Sequence, residues 1–111
     1  MAKKISRWQG NSSKVKKAPD PSSQASKNLK IQNELGLHAR AAAQFVKIAS
    51  RFRSEVTVRR DSQEVNGKSI MGILMLAAAK GTQIQITVRG EDSSETLQAL
   101  SELVENKFGE K

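Results

Sequence analysis

The chain has 111 residues, no cysteine and a net charge of +8. That length fits one small domain with a shallow surface site rather than a deep cleft. The lack of cysteine excludes disulfides, thiolate catalysis and cysteine-ligated metals. No apolar run approaches the ~18 residues needed to span a membrane.

The charge is unevenly placed. Residues 1–30 carry eight Lys/Arg and a single acid, Asp20, whereas residues 31–111 carry eleven Lys/Arg and ten Asp/Glu, a net of only +1. The folded part is therefore nearly neutral, and an argument for nucleic-acid binding from overall charge loses its force. Residues 1–27 hold both prolines, many Ser and Lys, and isolated apolar residues with no period. No apolar stretch follows the basic start, so a secretory signal is not expected. The segment cannot bury enough surface to offset its ordering entropy and reads as a flexible basic extension, with the domain expected over 28–111.

Leu29 and Ile31 alternate with polar neighbours, as on a strand with one buried face. Leu35-Gly36-Leu37 closes it with a turn. Residues 39–50 switch to helical spacing, with Ala42, Phe45, Val46 and Ala49 on one face. Val56 and Val58 mark a strand near 55–60, and Asp61-Ser62 turns it into a short strand at 63–65, broken by Asn66-Gly67. Residues 70–79 are the most hydrophobic stretch. Ser69 is placed to cap a helix there, with Ile73, Leu76 and Ala77 toward the core and Ile70, Met71 and Leu74 partly exposed. Ile84, Ile86 and Val88 form a half-buried strand ended by Gly90. Asp92 and Glu95 resemble a capping box, and Leu97, Leu100 and Val104 form the stripe of a last helix. The order β-α-β-β-α-β-α with alternating strands predicts an α+β sandwich with one sheet face covered and one open. A ferredoxin-like arrangement would share most of these elements.

His38 is the only histidine, and it immediately precedes the first turn of the alanine-rich helix. A helix N-terminus is an anion site. Its amides and the Arg40 guanidinium suit the oxygens of a phosphoryl group on the imidazole. The same positive end favours a neutral ring with a lone pair free to attack phosphorus. The competing reading is a surface histidine with no role. No second histidine is available for a metal site. One nucleophile beside one arginine fits group carriage better than hydrolysis. Ser69 has two readings, a simple cap or a phosphorylation site whose added charge would repel an acidic partner. Ile70, Met71 and Leu74 are either a buried helix face or a docking surface. Gly67-Lys68-Ser69 lacks the upstream glycine spacing of a P-loop.

Two segments, Leu35-Gly36-Leu37-His38-Ala39-Arg40-Ala41-Ala42 and Lys68-Ser69-Ile70-Met71-Gly72-Ile73-Leu74-Met75-Leu76 followed by Ala79-Lys80-Gly81, resemble the HPr phosphocarrier family of the bacterial phosphoenolpyruvate-dependent sugar phosphotransferase system. The resemblance covers about residues 28–108. It implies an open-faced β-sandwich, with a four-stranded antiparallel sheet and three helices on one face. It implies that His38 takes a phosphoryl group on Nδ1 from enzyme I and passes it to sugar-specific IIA domains, with Arg40 as the active-site arginine. Ser69 matches the serine modified by HPr kinase/phosphorylase. Ile70, Met71 and Leu74 match positions that dock onto enzyme I, IIA domains and regulatory proteins. The implied protein is a cytoplasmic, monomeric relay rather than a stand-alone enzyme. It needs no cofactor or metal and is expected neither to insert into membranes nor to bind nucleic acid. The presence of His38 sets it apart from histidine-lacking regulatory relatives. A mainly regulatory interaction protein of the same fold and a small nucleic-acid-binding module with a basic tail are the alternative readings. Two departures stand out: Ala41 where the family usually has proline, and the extension before residue 28.

Overall fold

The structure, a computed structural model, describes residues 23–110. The elements in chain order are β1 (Gln24–Lys30), α1 (Ala39–Ala49), β2 (Glu55–Arg60), β3 (Gln63–Asn66), α2 (Ile70–Met75), β4 (Gln83–Arg89) and α3 (Ser93–Glu105), followed by a short 3-10 turn, Lys107–Gly109. The strands form one antiparallel sheet in the order β1-β4-β2-β3. Three helices lie on one face of this sheet.

Alternation decides which face is covered. Leu29 pairs with Ile84, Val58 with Ile86 and Val56 with Val88, and all six are buried. Against them pack Ala42, Phe45 and Ala49 of α1, Ile73 and Leu76 from α2 and its cap, Leu100 and Val104 of α3, and Phe108. The intervening residues face solvent, where Ser26 and Thr87 share a hydrogen bond of 3.1 Å. No helix among the described residues is long and apolar enough to cross a membrane.

Most of the expected basic extension, residues 1–22, lies outside the described residues. Its last part does not belong to an extension, because β1 begins at Gln24 and Gln24–Lys27 pair in register with Ile86–Arg89. The backbone ladder holds these residues while most of their side chains stay exposed, so hydrophobic patterning carried no trace of them.

One helix boundary and one helix cap also differ from expectation. The helix in the apolar stretch stops at Met75, and Ala77 is exposed in left-handed backbone (φ 50°) rather than in the core. The reason is tertiary. The Ala78 carbonyl must reach the Leu37 amide, 2.9 Å away, while Arg60 Nη1 and Gln63 Nε2 take the Leu76 and Met75 carbonyls at the helix end. At α3, Asp92 occupies the N-cap position but its side chain makes no capping bond. Its carboxylate instead accepts from the Arg53 and Ser54 amides, each at 2.9 Å, and from the Ser54 hydroxyl. It thereby ties the α1–β2 connection to the start of α3. Burial pushes the Asp92 carboxyl up, but those hydrogen bonds prevail and hold it below its ordinary value.

Candidate functional site

Gly36 sets the approach to the histidine. Its φ is +66°, and a Cβ there would sit 2.5 Å from the Ala78 carbonyl oxygen and 2.9 Å from Ala79 Cα. Only glycine satisfies both the turn and the close approach. Leu37 is then buried, and His38 follows in extended backbone as the N-cap of α1.

Both ring nitrogens are engaged. Nδ1 accepts a hydrogen bond from the Arg40 amide at 3.3 Å, and Nε2 lies 2.8 Å from Glu110 Oε2. An ionised carboxylate can only accept and an amide N–H can only donate. The pair therefore selects the tautomer protonated on Nε2, with the Nδ1 lone pair aimed at the start of α1. The Glu110 carboxyl is held below the usual range, first by the hydrogen bond from His38; burial opposes this, and the Asn33 bond and Leu35 amide reinforce it. Asn33, itself buried, donates from Nδ2 to Glu110 Oε2 at 3.0 Å and to the Gly36 carbonyl at 2.8 Å.

The first helical amide bonded back to the N-cap is that of Ala42, which reaches the His38 carbonyl at 2.8 Å. The amides of Ala39, Arg40 and Ala41 precede it and have no partner within the helix. A phosphoryl group on Nδ1 would meet these donors, with the exposed Arg40 beside them. Ala41 is buried within an intact first turn, so alanine in place of proline leaves the helix start formed. Glu110 and Asn33 were not singled out by the sequence. Glu110 lies 72 positions from His38, and nothing local marks a carboxylate after the last helix as part of this site.

Ser69 caps α2, its hydroxyl accepting from the Gly72 amide at 3.0 Å. A Cβ at Gly72 would lie 3.3 Å from Val65 Cβ, so the glycine serves close packing of α2 on β3. Helices α1 and α2 pack against each other, and the contacts at their ends run them in opposite directions. Lys68 Nζ, before α2, takes the Phe52 carbonyl beyond the end of α1 at 2.8 Å, whereas Ala78, beyond α2, meets Leu37 before α1. Ser69 is thus displaced from His38 by about the length of α1, roughly 16 Å. Ile70 and Met71 are exposed, at 44% and 67%, and Leu74 is half-buried against the core. The structure adds Met75 and Leu35, 62% and 68% exposed. Apolar side chains are therefore offered from the Ser69 end to the His38 end of α2. Among the described residues, no cluster of three or more His, Cys, Asp or Glu could hold a metal ion.

A protein-family model described as "PTS HPr component phosphorylation site" matches residues 25–106. The phosphocarrier protein HPr of Neisseria meningitidis is 52% identical over 83 residues, covering 75% of this chain and 93% of that protein. The phosphocarrier protein HPr of Xylella fastidiosa strain Temecula1 is 51% identical over 82 residues, covering 74% and 92%. The crystal structure of HPr-C-His from Thermoanaerobacter tengcongensis superposes with a TM-score of 0.76 at 44% identity, covering 78% of this chain and 98% of that one. With His38 at the helix start and the order β1-β4-β2-β3 behind it, the chain belongs to the HPr phosphocarrier family of the phosphotransferase system.

Proposed function

We propose that His38 is the phosphorylated residue and Nδ1 the phosphorylated atom. As a phosphocarrier the chain takes a phosphoryl group from enzyme I on a histidine and hands it to IIA domains; it is a relay, not a catalytic enzyme in itself. The observation that carries the residue assignment is the paired engagement of the ring, Nε2 on Glu110 and Nδ1 at the α1 amides. In the transfer, the Nδ1 lone pair attacks the phosphorus on the donor phosphohistidine. The donor's P–N bond breaks, and the α1 amides and Arg40 receive the phosphoryl oxygens. Ile70, Met71 and Leu74, joined by Met75 and Leu35, form the docking surface for enzyme I and IIA domains.

Ser69 is read as a regulatory phosphorylation site for an HPr kinase/phosphorylase. Its distance from His38 makes direct quenching of the histidine a weak effect, since separations beyond a Debye length of about 8–10 Å are screened. A phosphate there would act by placing negative charge at the edge of the docking surface. The working form is a cytoplasmic monomer, with regulatory proteins as further partners of the same surface.

The test incubates the full chain with enzyme I and labelled phosphoenolpyruvate, beside His38→Ala. The expected result is acid-labile phosphate on the natural chain and none on the variant. Label undiminished in His38→Ala, or no label on a folded chain with active enzyme I, would overturn the assignment.

A further inference from the structure

The chain after α3 is built to deliver one carboxylate. Lys107, Phe108 and Gly109 are all left-handed, with φ of 57°, 56° and 78°. Such backbone is unusual for side-chain-bearing residues, and a phenylalanine adopts it only when its surroundings demand it. Here Phe108 is 2% exposed and belongs to the core cluster. The turn is closed by the Gly109 amide on the Asn106 carbonyl and the Glu110 amide on the Lys107 carbonyl, both 3.0 Å. Phe108 thus anchors the segment, and the next turn residue but one, Glu110, arrives at His38 Nε2. Buried Asn33 holds the same carboxylate oxygen from the other side. Among charged groups, Glu34 lies near enough to interact with Glu110 and is itself held by Lys80 at 2.7 Å and influenced by Lys107, while Arg40 stands two residues beyond the histidine with its amide on Nδ1.

We propose that Glu110 is a positioning residue whose carboxylate keeps the proton on His38 Nε2 through the whole transfer cycle. The inference rests on the assignment of Nδ1 as the phosphorylated atom. When the Nδ1 lone pair bonds phosphorus, the ring becomes a phosphoimidazolium, and its positive charge lies against the Glu110 carboxylate. In the onward step the acceptor histidine attacks phosphorus, the P–Nδ1 bond breaks, and its electron pair returns to Nδ1. The leaving group is then neutral imidazole, already in the starting tautomer. No proton enters or leaves in either step. Without the carboxylate, Nε2 of the phosphorylated ring gives its proton to solvent. The leaving group would then be an imidazolide anion, which departs poorly.

The test uses the full chain labelled with 15N in histidine and phosphorylated through enzyme I and phosphoenolpyruvate. Ring 15N spectra at pH 8 and the lifetime of the phosphorylated form are compared between the natural chain and Glu110→Gln. The natural chain is expected to show a protonated Nε2 in the phosphorylated ring. Its phosphoryl group should be lost about tenfold faster than that of Glu110→Gln, in which an opposite charge beside the ring has been removed. Asn33→Ala, which loosens the carboxylate without removing it, should fall between them. A purely structural role for Glu110 would not move the Nε2 signal. Labelled proteins with the same Nε2 protonation and lifetime overturn this inference alone. No label on the natural chain overturns it together with the Nδ1 assignment.

Discussion

Replacing Gly36 by alanine tests how the histidine loop is held, and Gly81→Ala supplies the matched control. Both glycines have positive φ, +66° and +91°, but a Cβ at Gly36 meets the Ala78 carbonyl oxygen at 2.5 Å, whereas a Cβ at Gly81 meets nothing within 4 Å. The backbone penalty alone is about 1–2 kcal/mol. At Gly36 the collision with main chain adds about 1–3 kcal/mol, the scale of overpacking. The histidine loop and the 78–79 segment would then have to part, weakening the 2.9 Å bond from the Leu37 amide to Ala78. Urea unfolding should therefore place Gly36→Ala below Gly81→Ala by about 1–3 kcal/mol. That is roughly 1–3 M in midpoint at a slope near 1 kcal/mol/M. Phosphorylation by enzyme I, measured where both variants are folded, should fall in Gly36→Ala and stay near the natural rate in Gly81→Ala. Equal destabilisation at the two positions would refute the contact argument. Normal phosphorylation of a destabilised Gly36→Ala would refute the claim that this contact positions His38.

Phe108→Ala empties a core position and should lower stability by about 3–5 kcal/mol; if urea unfolding shows less than 1 kcal/mol, the C-terminal turn is not anchored as described. Asp92→Asn replaces a carboxylate whose folded-state titration is depressed below 3.8. The contribution of that carboxylate is full above the unfolded value and is lost as pH falls through the lower folded value. The variant should be less stable at pH 7 by about 1 kcal/mol, with the gap narrowing on acidification below the ordinary value. A gap that widens toward low pH would contradict this. Changing Met71 and Met75 together to lysine touches only exposed positions of α2. Stability should move by no more than about 0.5 kcal/mol, while phosphoryl transfer from enzyme I drops roughly tenfold. Unchanged transfer would remove these residues from the docking surface.

The amino-acid sequence by itself determined the elements and singled out the candidate nucleophile. Alternation at Val56/Val58 and Ile84/Ile86/Val88, and helical spacing at Ala42/Phe45/Ala49, are local signals, and each element followed them. His38 was legible because it is the chain's only histidine and adjoins an alanine-rich turn. Tertiary structure decided what depends on distant partners. Polar Gln24–Lys27 join the sheet only because β4 offers a backbone ladder. The helix carrying Ile70 and Met71 stops at Met75 because Ala78 must meet Leu37, and Asp92, though at the N-cap of α3, turns its carboxylate to the Arg53 and Ser54 amides. Above all, Glu110 reaches Nε2 across 72 positions because three left-handed residues and a buried phenylalanine fold the chain back onto the site. Periodicity reports on a residue's own element, and a side chain that works by meeting another element carries its meaning only once the two are packed.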